Sequence, residues 1–354
     1  VDQVIFYIGR AYVESVGTNL HVDREKALRG LDTALKYNPN LSSAYVLKGR
    51  LYYDAGLTSY AIQSFSQAMS VQQSLADIYL FRAKAYLQDN DLDLARGDLL
   101  TELRIYDRYE VRRLLGEVSL RGLDYDQALE HFNRAIEMEP ELIPARIGRA
   151  RVYRLQALQP GLTTRFREDL RVRAYQDIGK VLLKNSDYAE AILEKGSLLK
   201  DQERFVEALS LFGMIIQRFD DLDPESLTHE HRVLLADAYL QRGEIQLKNG
   251  NRNLAQADME RALKVRPNYA EAYNRLGEVA RKSNDFQNAR DNYLRAIEID
   301  PNNPDFDLSL AILYQENKSF QKAIDHYQSH QRKRGTELRV DDWIRECQDA
   351  LASK

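Results

Sequence analysis

Histidine pairs are the first residues whose spacing could do chemistry. His326 and His330 stand at i and i+4, the spacing at which one helix face offers two ring nitrogens to a metal, and His229 and His231 flank Glu230. Neither pair has a third ligand at a suitable spacing, so no metal is expected. Cys347 is the only cysteine, which excludes an internal disulfide framework and a cysteine-based zinc site within one chain. No phosphate loop, nucleophile elbow or dinucleotide fingerprint occurs, and the chain therefore reads as non-enzymatic and free of cofactors. Arginines are the remaining candidates. Between Arg146 and Arg173 run Arg149, Arg151, Arg154, Arg165, Arg167 and Arg171, with no lysine and only Glu168 and Asp169 as acids. Guanidinium favours bidentate recognition of carboxylate or phosphate, so this stretch is a candidate anion site. The competing reading is that these arginines pair with acids of neighbouring helices.

The elements that must position such residues are clearest at 270–303, AEAYNRLGEVARKSNDFQNARDNYLRAIEIDPNN. Ala272, Tyr273, Leu276, Gly277 and Ala280 fall on one face of a first helix, and Ala289, Tyr293, Ala296, Ile297 and Ile299 on one face of a second. Lys282 to Asp285 is polar and aperiodic, and Asp300 to Asn303 stops the second helix. A glycine inside a helix costs on the order of 1 kcal/mol relative to alanine. Close approach of Gly277 to Ala289 is the expected compensation.

The same device runs along the chain. A small residue stands at Gly9, Gly49, Ala83, Gly116, Ala150, Gly196, Gly243, Gly277 and Ala311, matched by alanine at 27, 61, 95, 128, 174, 208, 255, 289 and 323. Four residues after each alanine comes a large apolar side chain, Leu31, Phe65, Leu99, Phe132, Ile178, Phe212, Met259, Tyr293 or Tyr327. Successive alanines lie 34 residues apart in five of eight intervals, which fixes the period.

A 34-residue helix-turn-helix with aromatic, Leu-Gly, Ala, aromatic, Ala and Pro at these offsets resembles the tetratricopeptide repeat. The resemblance implies an all-α, right-handed superhelical solenoid of antiparallel helix pairs. Repeats are expected near 2–41, 42–75, 76–108, 109–142, 143–188, 189–222, 236–269, 270–303 and 304–335. The final stretch 336–354 reads as a capping helix, with Val340, Trp343, Ile344, Cys347 and Leu351 on one stripe and Trp343 as a core anchor. Insertions are expected near 16–21, 155–170 and 220–235, the last with Asp223 or Ser226 as helix cap. Solenoid insertions tend to emerge on one face and often carry function.

A formal net charge of -4 gives no overall pull toward nucleic acid or an acidic membrane surface. No apolar run is long enough to span a membrane, which makes the chain soluble by composition. Beginning at Val1 inside a helical pattern fits removal of a leader or of an upstream repeat, so both a cytoplasmic and an exported, periplasmic location are open.

In the resembled family the first helices line a concave groove, and the residue after the glycine slot usually faces it. Here those residues are Arg10, Arg50, Lys84, Glu117, Arg151, Ser197, Glu244, Glu278 and Ile312, basic early and acidic late, where Asp237 and Glu271 join them. Alternatively these charges only solvate an exposed helix face. The carboxylate-clamp lysine and asparagine known in one subclass are absent, since the matching positions hold Phe6 with Arg10, Val46 with Arg50 and Leu80 with Lys84. The expected groove site is Phe6, Arg10, Val46, Arg50, Tyr53, Leu80, Lys84, Arg113, Arg151 and Arg154. Its expected ligand is an extended or helical segment of another protein, acidic with apolar anchors. A second basic patch, Arg146, Arg149, Arg165, Arg167, Arg171 and Arg173, leaves an alternative: an assembly factor binding an anionic polymer, an acidic polysaccharide or nucleic acid.

Overall fold

A computed structural model describes Tyr7, Arg10 and residues 20–72, 77–220, 222, 227–335 and 337–352. Eighteen helices are present among these residues and no strand. The expected first helix from Val1, Phe6, the Gly9 slot, most of the 16–21 insertion and the proposed caps Asp223 and Ser226 lie outside them.

Contacts divide the chain into two units, 1–186 and 187–354. In the first, α1 (Leu20–Tyr37) precedes the pairs α2 (Ser42–Asp54) with α3 (Thr58–Val71), α4 (Ile78–Gln88) with α5 (Leu92–Ile105), α6 (Tyr109–Arg121) with α7 (Tyr125–Met138), and α8 (Ile143–Ala157) with α9 (Thr164–Lys184). In the second, the pairs are α10 (Ala189–Asp201) with α11 (Phe205–Asp220), α12 (His229–Lys248) with α13 (Arg252–Val265), α14 (Ala270–Lys282) with α15 (Phe286–Ile299), and α16 (Pro304–Glu316) with α17 (Phe320–Arg334). A single helix, α18 (Leu338–Ala352), packs against α17. No helix among the described residues is long and apolar enough to cross a membrane.

Packing follows the repeated slots. All nine slot alanines are 0% exposed, and the large residue four places on is at most 2% exposed in every repeat. The nearest neighbour of the glycine is a large side chain of the second helix. A β-carbon on Gly277 would stand 2.5 Å from the Tyr293 ring, on Gly116 2.8 Å from Phe132, on Gly196 2.6 Å from Phe212 and on Gly243 2.8 Å from the Met259 methyl. The glycine is therefore the seat of the side chain sixteen residues later, and at Gly243 the backbone oxygen of the slot alanine Ala255 is also close, 3.3 Å from such a β-carbon. Long helical side chains lean toward the preceding turn, which carries the ring from position 293 back over the crossing point.

Outside the α8–α9 insertion, the turn within each described pair closes in the same way. Asn284 adopts φ 59° and the backbone N–H of Asp285 donates to Ala280 O at 2.9 Å, the pattern of a left-handed helix stop. Asp285 then accepts from the Asn288 N–H and caps the second helix, as Asp91 and Asp124 do for Leu94 and Gln127. The 155–170 insertion resolves into a short turn and an early start of α9 at Thr164, capped by Thr163. In the 220–235 insertion it is Thr228 that accepts from the His231 N–H and starts α12.

First helices come closer to one another than second helices do, since α2 meets α4, α6 meets α8, and α10, α12, α14 and α16 meet in succession. In each unit the first-helix layer is the inner one.

Candidate functional site

On the inner layer of the first unit the cations are organised by one aromatic ring. The Arg50 guanidinium lies 5.5 Å from the Phe81 ring centroid and Lys84 Nζ lies 5.9 Å from it. Phe81 in turn stacks on Phe65, centroid to centroid 6.0 Å, which ties the surface pair to the core. A ring face attracts cations through its quadrupole, so the arrangement holds two positive heads beside an apolar patch. Lys84 also reaches Glu110 of α6 at 2.6 Å. Farther along, Glu117 meets Arg113 at 3.3 Å and Arg121 at 2.5 Å. Burial alone would raise the Glu117 carboxyl, but the guanidiniums of Arg121 and Arg113 outweigh it and hold the group below its ordinary value.

Among the other expected groove residues, Val46 and Tyr53 are half-buried against the cluster around Phe65. Leu80 is 2% exposed and belongs to the core, so its side chain is not on the surface at all. Three residues before the glycine slot the helix has turned toward its partner, and Ile147, Leu193 and Leu240 are buried at the same offset. Arg10 lines a hollow of about 200 Å³ with Tyr7, Lys26 and Arg29. Arg151 and Arg154 are half-buried and engaged.

The arginine stretch is largely committed internally. Arg149 donates through Nε and Nη2 to both oxygens of the buried Asp177, at 2.7 Å each, and through Nη1 to Asn133. Arg146 donates to Pro140 O at 2.6 Å and approaches Asp177 at 3.5 Å. Arg167 donates to Ala157 O, Arg171 pairs with Glu168, and Arg173 pairs with Asp169 while lying over the Tyr153 ring. Arg165 is exposed.

The acidic later positions form a network on the inner layer of the second unit. Glu244 receives Lys200 at 2.5 Å and Arg275 at 2.7 Å, and Glu278 receives Arg275 and Lys282 at 3.1 Å each. Burial would raise Glu244, yet Lys200 and Arg275 bring it below its ordinary value. Asp237 accepts from the Tyr269 hydroxyl, Ser197 is buried, and Ile312 packs on the last core. Glu244 and Glu278 are thus neutralised by the cations of neighbouring helices. His326 contacts Asp307 at 3.0 Å and stacks on Tyr314, His330 is buried with Nδ1 at 2.8 Å from Pro304 O, and His231 stacks on Phe219. Among the described residues no three His, Cys, Asp or Glu side chains are grouped to hold a metal.

Two features escaped the sequence reading. Phe81 carries the cation pair but stands two places before the small slot, off the repeated stripe. Arg82 with Asp98, Arg149 with Asp177 and Arg242 with Asp258 are forked pairs joining the two helices of a repeat. Each has arginine one place before the small slot and aspartate three after the slot alanine, a signal available in the sequence.

A family model described as tetratricopeptide repeat matches residues 82–144, 242–304 and 282–337. Residues 82–144 and 242–337 are thus tetratricopeptide repeats. Solved structures share its fold: a tetratricopeptide repeat protein from Parabacteroides merdae is 17% identical with TM-score 0.55, over 77% of this chain and 98% of that one. The Cut9–Hcn1 hetero-tetramer of APC/C gives 15% identity and TM-score 0.55 over 96% of this chain, which spans 62% of that longer one. The human IFIT1 dimer with m7Gppp-AAAA gives 13% identity and TM-score 0.58, over 93% and 72%. No curated protein sequence matches the chain. As in tetratricopeptide-repeat proteins, the helical repeats form a scaffold.

Proposed function

We propose that this chain is a non-catalytic scaffold that binds an extended or helical segment of another protein on the inner layer of its first unit. The observation that carries the reading is Phe81 flanked by Arg50 and Lys84. An apolar ring with two cations beside it matches a segment that presents an apolar anchor next to acidic groups. Tyr53 and Val46 extend the apolar floor, and Arg113 lies on α6 beside Glu117. The pairing of Lys84 with Glu110 supports the same polarity, because the Lys84 ammonium already takes a carboxylate at this surface, and a displaced Glu110, which is partly exposed, returns to solvent. The arginine stretch gives less support to an anionic polymer, since Arg146, Arg149, Arg167, Arg171 and Arg173 already hold protein acceptors.

A photo-reactive benzoylphenylalanine at position 81 tests this in native lysate. Adducts through an acidic, apolar segment of one protein support the reading, and the same adducts should be missing when the probe stands at exposed Leu94 on α5. Adducts formed equally from both positions would overturn it.

A further inference from the structure

A second surface stands at the edge of the first unit, where the α6–α7 turn meets the inserted α8–α9 turn. Leu123, Tyr125, Leu162 and Phe166 line a cavity of about 450 Å³, with Asp124 and Asp126 on its rim and no cation in its lining. Leu123 is 65% exposed and Phe166 50% exposed.

Leu123 occupies the left-handed position of its turn, with φ 60°. The equivalent positions in other repeats hold Gly56, Asn90, Glu203, Gly250, Asn284 and Lys318, all at positive φ. Glycine and asparagine tolerate that conformation, and the charged occupants reach solvent; leucine gains neither a relaxed backbone nor burial there. Backbone strain held at an exposed apolar residue points toward use of that residue. Phe166 reaches the same cavity from the insertion that breaks the 34-residue period, and inserted segments in solenoids often carry binding.

We infer that this cavity docks a segment of a partner protein that carries a large apolar side chain beside lysine or arginine. The apolar side chain fills the space between Leu123 and Phe166, and the basic group meets Asp126, which is exposed at the rim. Asp124 adds negative charge although its carboxylate is occupied in capping α7. The charge preference is opposite to that of the Arg50–Phe81–Lys84 face, so the two surfaces select different segments and neither reading depends on the other.

A random peptide display library panned against the whole chain tests the assignment. Peptides pairing leucine or phenylalanine with lysine or arginine should be enriched, and their affinity should fall about tenfold or more on Phe166→Ser and on Asp126→Lys. Leu123→Gly should weaken them similarly while the melting temperature stays level or rises, which separates lost docking from lost folding. Arg50→Glu with Lys84→Glu should leave these peptides bound. Enrichment of peptides without cations, or binding indifferent to Phe166→Ser, would overturn the assignment. So would concentration-dependent self-association that Phe166→Ser abolishes, because the occupant would then be a second copy of the chain.

Discussion

At Gly277 the Tyr293 ring occupies the space a side chain would need, so Gly277→Leu must displace a ring that is 1% exposed. Overpacking of this kind typically costs about 1 to 3 kcal/mol, and urea unfolding should show it as a lower midpoint. Tyr293→Ala in the same chain should recover part of that loss, whereas an independent effect of the two changes would contradict the seat. The forked pairs give a second residue-scale expectation. Arg82→Leu leaves the buried Asp98 without its fork and should cost about 3 kcal/mol, the lower end for breaking a buried pair. Arg82→Leu with Asp98→Leu should cost clearly less, and a double-mutant cycle measures the difference. The glycine, alanine and aromatic slots were legible in the sequence because they repeat. The contact among them was not, because register shows which positions recur and not the direction in which a ring leans.

Among the elements, α18 covers the end of the second unit. Val340 and Cys347 are buried there and Trp343 lies 5.6 Å from Tyr327, ring to ring. Deleting residues from Asp341 onward should expose the apolar face around Tyr327 and Ile324, so the truncated chain should aggregate on concentration. A truncation that stays monomeric in sedimentation would remove the covering role. Among the described residues, helix existence was legible from the 3.6-residue period. Helix starts in the insertions were less so: Thr163 and Thr228 cap α9 and α12, but threonine competes with every nearby Asp and Ser for that role until the backbone is placed. The groove list failed at Leu80, whose side chain three places before the small slot turns into the core as Ile147, Leu193 and Leu240 do, while Val46 at the same offset stays half-buried, a difference that register does not carry.

For the molecule as a whole, charge is balanced locally more than along its length. Glu117 and Glu244 lie below their ordinary values in the folded chain, against the burial that would raise them, because Arg121 and Arg113, and Lys200 and Arg275, face them. A depressed carboxylate contributes stability that is fully present above the unfolded value, about 4.3, and is lost as pH falls through the lower folded value. Melting temperature should therefore drop as pH goes below about 4.5, and Glu244→Gln should flatten part of that slope. A slope unchanged by Glu244→Gln would mean that the network contributes nothing. Binding is the property that matters most, and it rests on the cations beside Phe81. Each exposed pair is worth about 0.2 to 1 kcal/mol, so reversing two should weaken an acidic segment by about tenfold or more. The most direct measurement is a calorimetric titration of the segment cross-linked at position 81 against the parent chain and against Arg50→Glu with Lys84→Glu, with helix content followed by circular dichroism. Binding lost to the double variant at unchanged helix content is the predicted result, and parent-like affinity in the double variant would contradict it.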